Sequence, residues 1–288
     1  MSEYAIRPAT EAEFATAVAW AAQEGWNPGV DDLSAFHSAD PSGFLMGFLD
    51  GEPAAAISVV RYGDDYGFLG FYIVTPQHRG HGLGMQIWNA GLAHLEGRTI
   101  GLDGVVAQQE NYRKSGFALA GRNVRFTGNR PTVDRATMTR VGHVVRVTSD
   151  TIADVIAYDA AFFPADRSRF ISAWASPHAS ASRQTYAVIG DTGIEGYGVI
   201  RACRSGYKVG PLFADTPAIA QTLFGAMIAP LAEGAPVSID VPEDNRDAVR
   251  LAEAAGFVPS FETARMYRGP APELAVARTF GITTFELG

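Results

Sequence analysis

In the stretch TPQHRGHGLGMQIW, residues 75–88, three glycines alternate at Gly80, Gly82 and Gly84 beside Arg79, His78 and His81. Glycine weakens regular structure, so this density points to a backbone that turns sharply or must approach something closely. The chemistry open to it is anion binding. Without Cβ atoms, successive N–H groups can converge on a phosphate, and a following helix adds unpaired donors and the positive end of its dipole. Arg79 supplies a charged donor. The plain alternative is a surface loop with a solvent-facing arginine. No GxxxxGK[ST] loop occurs, and GHGLG lacks the spacing of a dinucleotide fingerprint. His78 and His81 have no nearby Cys, Asp or Glu to complete a set, so no metal is expected. Cys203 is the single cysteine, which rules out an internal disulfide and reads as a small buried residue.

The elements that must hold this loop follow from its flanks. YGFLGFYIVTP reads as a buried strand that stops at Pro76, which cannot donate to a ladder. MQIWNAGLAHL puts Ile87, Gly91 and Leu95 on one helical stripe, with Trp88 and Leu92 beside it. The glycines therefore occupy a strand-to-helix loop. The wider chain repeats one order of elements. Each half opens with a strand and a helix, capped by Thr10 and Glu13 as a capping box in the first and by Ser149 or Asp150 in the second. Hairpins follow, turning at Asp50 and Gly51 and near residues 191–193. Then come a helix, a short strand (TIGLDGV, PVSIDV), a helix ending at Gly116 and Phe117 or Gly256 and Phe257, and a closing strand (GRNVRFTG, FETARMYRG). This order predicts an α+β fold of mixed α/β layers, read twice, rather than a βαβ series. The linker is expected in the polar stretch 127–142, dividing the chain into domains 1–130 and 143–288 joined by 131–142.

The chain has 288 residues, which favours two domains. It is 47% hydrophobic and 19% charged, as in well-packed globular proteins. A formal charge of −8 without a Lys/Arg cluster argues against a nucleic-acid partner. No apolar run approaches a membrane span, and the acids in MSEYAIRPATEAEF do not suit a leader peptide. A cytoplasmic setting without membrane partners is expected, with a homodimer left open.

IVTPQHRGHGLGMQIW resembles the acyl-CoA signature of the GNAT superfamily of N-acyltransferases, a strand and a proline followed by RGxGxG opening a helix. Arg79, Gly80, Gly82 and Gly84 match position by position, with His81 and Leu83 at the variable places. The resemblance covers most of residues 4–127 and, more faintly, 143–268. It implies two GNAT-like domains, each a central, mostly antiparallel sheet with a splayed strand pair flanked by helices. It also implies that the loop amides hold the CoA diphosphate, while Ile73 and Val74 present backbone groups to the pantetheine arm. A second family signal is Asn, Ala three residues on, and Tyr four residues before Gly-Phe. Tyr112 holds the tyrosine position in the first half, but Val105 replaces the asparagine, although Asn111 adjoins the tyrosine. Asn245 and Ala248 match in the second half, where Ala252 replaces the tyrosine. VGPLFADTPAIAQ has also lost the glycine loop and puts Asp215 where a phosphate would sit. The resemblance is therefore to tandem proteins with an active first unit and a degenerate second one.

N-acetylation from acetyl-CoA would require orientation of a neutral amine, donors for the oxyanion and an acid for the leaving sulfur. Amides near Val74 would serve the oxyanion. Tyr112 is the candidate acid, because an ordinary phenol titrates near ~10 and is protonated at neutral pH; its other reading is an aromatic packed under a helix. Asp103 and Glu24 are the candidate bases, although an exposed carboxylate or a cap is the more ordinary role of each. Trp26 and Asn27 stand where the family varies its acceptor loop and would suit a small amine with an apolar body, or Trp26 is core. Arg167, in AFFPADRSRFISAW, would reach an acceptor carboxylate across the domain cleft, or belong to a partly buried amphipathic helix. The expected function is transfer of an acetyl group to the primary amine of a small molecule. The alternative is a non-catalytic acyl-CoA sensor. Net negative charge disfavours a tRNA-dependent transferase.

Overall fold

The structure, a computed structural model, describes residues 3–131, 141–178 and 180–288. The first half runs β1 (Tyr4–Pro8), α1 (Glu11–Gln23), α2 (Asp32–Ala39), β2 (Phe44–Leu49), β3 (Glu52–Tyr62), β4 (Tyr66–Val74), α3 (Leu83–His94), β5 (Thr99–Val105), α4 (Gln109–Lys114) and β6 (Ala118–Asn129). The second runs β7 (His143–Arg146), α5 (Ile152–Asp159), α6 (Ser168–Ala175), β8 (Arg183–Gly190), β9 (Gly193–Ala202), β10 (Tyr207–Ala214), α7 (Pro217–Ile228), β11 (Pro236–Pro242), α8 (Arg246–Ala254), β12 (Val258–Arg268) and β13 (Thr279–Gly281). The repeated order expected from the sequence is present; α2, α6 and β13 are additions to it.

Local chemistry starts the helices. At α1 the Thr10 hydroxyl accepts from the Glu13 amide at 3.2 Å, and the Glu13 carboxylate accepts from the Thr10 amide at 2.9 Å. The helix then buries Phe14, Ala17 and Ala21. At α5 the N-cap is Thr151, not Ser149 or Asp150. The Thr148 amide donates to the Thr151 hydroxyl at 2.9 Å, so these threonines make the turn that the two polar residues were expected to make. At α3 the buried face is Leu83, Ile87, Trp88 and Gly91. A Cβ on Gly91 would lie 2.9 Å from Val59 Cγ1, so glycine brings this helix close against β3.

The described strands form one 13-stranded sheet in the order β1-β2-β3-β4-β5-β12-β6-β11-β10-β9-β8-β7, with β13 paired to β10 off this path. The closing strands of the two halves are exchanged. β12 pairs with β5, Thr263 opposite Val105, while β6 pairs with β11, Thr127 opposite Ser238. β12 and β6 then pair with each other. Residues 127–129, expected to begin the linker, continue β6 instead, and linker residues 132–140 lie outside the described residues. The core is likewise shared. Phe14, Phe36 and Phe71 of the first half pack with Phe170 and Trp174 of the second, and Phe36 stacks on Trp174 at 5.5 Å.

Candidate active site

Parallel pairing of β4 with β5 runs only from Tyr66 opposite Thr99 to Leu69 opposite Leu102. Beyond it β4 stays on β3, with Ile73 opposite Ala56 and Val74 opposite Ala55, after a register shift near Phe71, whose φ is 45°. The two strands part, and a cleft of about 690 Å³ opens between them. Ile73 and Val74 form one wall, and Leu102 and Gly104 the other.

The glycine loop closes one end of this cleft. Thr75 holds the chain to Ala54, and its hydroxyl bonds His78 Nδ1 at 2.8 Å, so His78 braces the turn. Gly80 and Gly82 have φ of 82° and 79°, the left-handed region that glycine enters without a Cβ penalty. A Cβ on either would meet nothing within 4 Å. Their requirement is conformational. Gly84 is already helical, and there a Cβ would lie 2.8 Å from the Tyr72 hydroxyl, so its requirement is space. Arg79, Gly80, Gly82 and Gly84 line the cleft at the N-terminus of α3. The side chains of His81 and Leu83 do not: His81 is exposed, and Leu83 is buried with its carbonyl accepting from Tyr4 at 3.4 Å. Only their amides are left for the loop. Asn111 lines the cleft and donates to Gln108 at 2.7 Å.

Tyr112, on α4, reaches the same cleft. Its ring stacks on Trp88 at 5.6 Å and lies against Gly104, where a Cβ would come within 2.2 Å of the ring. Both readings of Tyr112 therefore hold together, since it packs under α3 and also faces the cleft. Its hydroxyl makes no hydrogen bond among the described residues. Burial, followed by the neighbouring Tyr72, pushes its pKa up to about 12, so the phenol stays protonated.

Three acidic residues line the cleft, Glu24, Asp103 and Glu286. Asp103 is not free to act as a base. Its side chain has 0% exposure and takes two bonds from Arg265, at 2.9 and 2.6 Å, and one from Asn123 at 2.7 Å. It ties β5 to the exchanged strand β12. Glu24 accepts from Arg79 Nη2, while Arg79 Nε donates to the Val74 carbonyl at 2.9 Å. Glu286 had no sequence signal: it sits in the tail TTFELG, where no motif marks it. Phe285 lines the cleft beside it.

The expected acceptor residues divide. Trp26 lines the cleft and packs 6.4 Å from Phe71. Asn27 turns away, with φ 51°, and exchanges two 2.9 Å hydrogen bonds with the backbone of Ser205, anchoring its loop to the second half. Arg167 does not reach the cleft. It is buried in a bidentate pair with Asp159 at 2.7 and 2.8 Å, and also donates to Thr283 at 3.1 Å and to the Gly288 carbonyl at 3.2 Å. Its donors hold the C-terminal tail in place.

Family models for acetyltransferases match both halves: the acetyltransferase (GNAT) family over residues 9–117 and an acetyltransferase (GNAT) domain over residues 155–281. Holothin acyltransferase from Pseudoalteromonas sp. (strain SANK 73390) is 32% identical over 282 residues, covering 98% of this chain and 94% of that protein. The chain belongs to the GNAT acetyltransferase family. Among solved structures, a candidate acetyltransferase from Pyrococcus horikoshii superposes with a TM-score of 0.82 at 24% identity, over 99% of this chain and 96% of its own. A tandem GNAT protein from the clavulanic acid biosynthesis pathway superposes at 0.64 with 14% identity, covering 94% of this chain and 100% of its own. At these identities the likenesses establish the fold.

Within this tandem GNAT acyltransferase the second unit has lost its cleft. β10 pairs with β11 only from Tyr207 to Val209, then diverges as β4 does. Here β13 fills the opening, with Leu212 opposite Gly281 and the Ile282 amide donating to Asp240 at 2.9 Å. Asp215 is not a bare anion but accepts from Tyr158 at 2.7 Å and pairs with Arg278. Asn245 serves as the N-cap of α8 and donates to the carbonyls of Val276 and Thr279 at 3.0 and 2.9 Å, fixing the segment that leads into β13.

Proposed function

We propose that this chain is an acetyl-CoA-dependent N-acetyltransferase acting on the primary amine of a small molecule. One observation carries the reading: the open strand wedge, the glycine loop at a helix N-terminus and the unpartnered Tyr112 hydroxyl all face one cleft. The residues fit the donor. The amides of residues 79–84, with Arg79, would hold its diphosphate, and backbone groups of β4 at Ile73 and Val74 would bond the pantetheine arm. Asn111 flanks the same wall. An amide near Val74 would donate to the developing oxyanion, and Tyr112 would protonate the leaving sulfur. In this proposal the catalytic unit is residues 1–130 completed by β12 and the C-terminal tail, 131–142 is the linker, and the setting is cytoplasmic. The Pseudoalteromonas relative, named for holothin, supports a small-molecule acceptor. The same relative disfavours the sensor reading, because it is an acyltransferase matched along nearly the whole chain.

Calorimetry with acetyl-CoA and a thiol-release assay over primary amines test the proposal. Wild type is expected to bind acetyl-CoA and release thiol only when an amine is present. Tyr112→Phe should keep that affinity and lose about 10²–10⁴-fold in kcat, the range of a positioned general acid. Equal rates would remove Tyr112 from the mechanism, and no acetyl-CoA binding would remove the proposal.

A further inference from the structure

The C-terminal tail carries a carboxylate to the cleft, and its surroundings set it apart from the other two. Asp103 and Glu24 are engaged by Arg265 and Arg79. Glu286 is 7% exposed, yet its carboxylate accepts no hydrogen bond among the described residues. Its neighbours are cations that donate to other groups. Arg125 on β6 is held by Asp240 at 2.6 and 2.8 Å and by the Trp26 carbonyl at 3.1 Å. Arg201 on β9 pairs with Asp32 at 3.1 Å, and Lys208 on β10 donates to the Asn27 carbonyl at 3.2 Å. All three act on Glu286 through space, with Cys203, Asp240 and Asp32 in the same cluster. None of these cations donates to it, so among the described residues the carboxylate remains available to a donor that enters the cleft.

The tail is also firmly placed. A Cβ on Gly70 would lie 2.3 Å from the Glu286 carbonyl oxygen, so the tail passes β4 where that strand leaves β5. Tyr62 donates to the Leu287 carbonyl at 3.1 Å, and Arg167 holds Gly288. Trp26, Phe71 and Phe285 line the same cleft as Glu286.

We propose that Glu286 receives the amino group of the acceptor, a primary arylalkylamine whose ring lies against Trp26, Phe71 and Phe285. This inference rests on the function proposed above. Glu286 takes one proton from the bound ammonium. The freed nitrogen lone pair forms the C–N bond to the thioester carbonyl carbon, and the C–S bond breaks with its electrons going to sulfur. Sulfur takes the Tyr112 proton. The second proton shed by nitrogen as it becomes an amide restores Tyr112, and Glu286 releases its proton to solvent.

The test is thiol release by the full chain with tryptamine and 2-phenylethylamine, against spermidine and glycine. Wild type should prefer the two arylalkylamines by about tenfold or more. Glu286→Gln should lower kcat/KM for them by about 100-fold at pH 7 while leaving acetyl-CoA affinity unchanged. That loss should shrink by about tenfold per pH unit as free amine accumulates in solution, which a merely structural defect would not do. If Glu286→Gln fails to fold, Glu286→Met removes the charge at similar volume and is read by the same criteria. A variant within about threefold of wild type, a loss independent of pH, or an acetyl-CoA-binding wild type inactive on both arylalkylamines overturns the inference alone. A wild type that does not bind acetyl-CoA overturns the proposed function and this inference with it.

Discussion

Gly82→Ala isolates the conformational requirement of the loop. Gly82 is exposed, holds φ 79° and has open space where a Cβ would go, so the substitution creates no clash within the protein. What it creates is the penalty of the left-handed region for an L-residue, about 1–2 kcal/mol. An exposed loop relieves that strain by relaxing to another conformation, and binding must then restore the nest and repay the difference. A penalty of that size corresponds to about 5–30-fold weaker acetyl-CoA binding. Any contact between the new Cβ and the diphosphate adds to it. The structure supplies its own control in Gly97, between α3 and β5. Gly97 is also exposed, has φ 81° and open space, and does not line the cleft. Gly97→Ala therefore carries the same local strain with no route to the ligand. Calorimetric titration of both variants, with urea unfolding of each, should show weakened binding only for Gly82→Ala. Wild-type affinity in Gly82→Ala, or equal weakening in both, would refute the nest.

Two further predictions concern residues whose expected roles the structure revises. Asp103→Asn leaves Arg265 buried without its anion and should destabilise the chain by about 3–5 kcal/mol in urea unfolding, the scale for breaking a buried pair; wild-type stability with abolished turnover would instead restore Asp103 as a base. Arg167→Ala should likewise destabilise by about 3–5 kcal/mol without changing acetyl-CoA affinity, because Arg167 serves Asp159 and the tail rather than the donor cleft. Alkaline pH should expose the burial of Tyr112. Its folded pKa of about 12 exceeds the unfolded value near 10, so above pH 10 the unfolded chain holds fewer protons. The contribution is fully present below pH 10 and lost between 10 and 12, so unfolding midpoints should fall over that range less steeply in Tyr112→Phe than in wild type.

What the sequence disclosed was chemistry with a local cause. Left-handed glycines beside an arginine, a Thr10–Glu13 capping box and a tyrosine before Gly-Phe each have requirements set within a few residues, and each stands where the sequence placed it. What it withheld depends on partners far along the chain. Asp103 reads as an unpaired acid at a strand end until Arg265, 162 positions later, is brought opposite it. β6 and β12 carry no residue that says which neighbour each will choose, so their exchange was not legible. Asn27, by its place in the loop that the family varies, and Arg167, by its aromatic neighbours, suit an acceptor; Ser205 and Asp159 already satisfy them.

Loss of the cleft in the second unit and construction of the cleft in the first are one structural event. Once β10 leaves β11 after Val209, its edge needs hydrogen-bond partners. In the first unit no described strand pairs with the corresponding edge of β4, where the Val74 carbonyl accepts from Arg79. In the second, β13 meets that need from within the chain, and Asn245 and Arg278 fix the segment that carries it. A strand seated there also sets the path of the tail. Residues 282–288 are directed along Asp240, past Gly70 and into the first unit, where Phe285 and Glu286 meet the cleft. The second unit thus contributes through the backbone edge a cofactor would otherwise use. Restoring an open wedge there, by deleting β13 and the tail together, should therefore not create a second acetyl-CoA site, since the glycine loop is absent; it should instead remove the wall that closes the first.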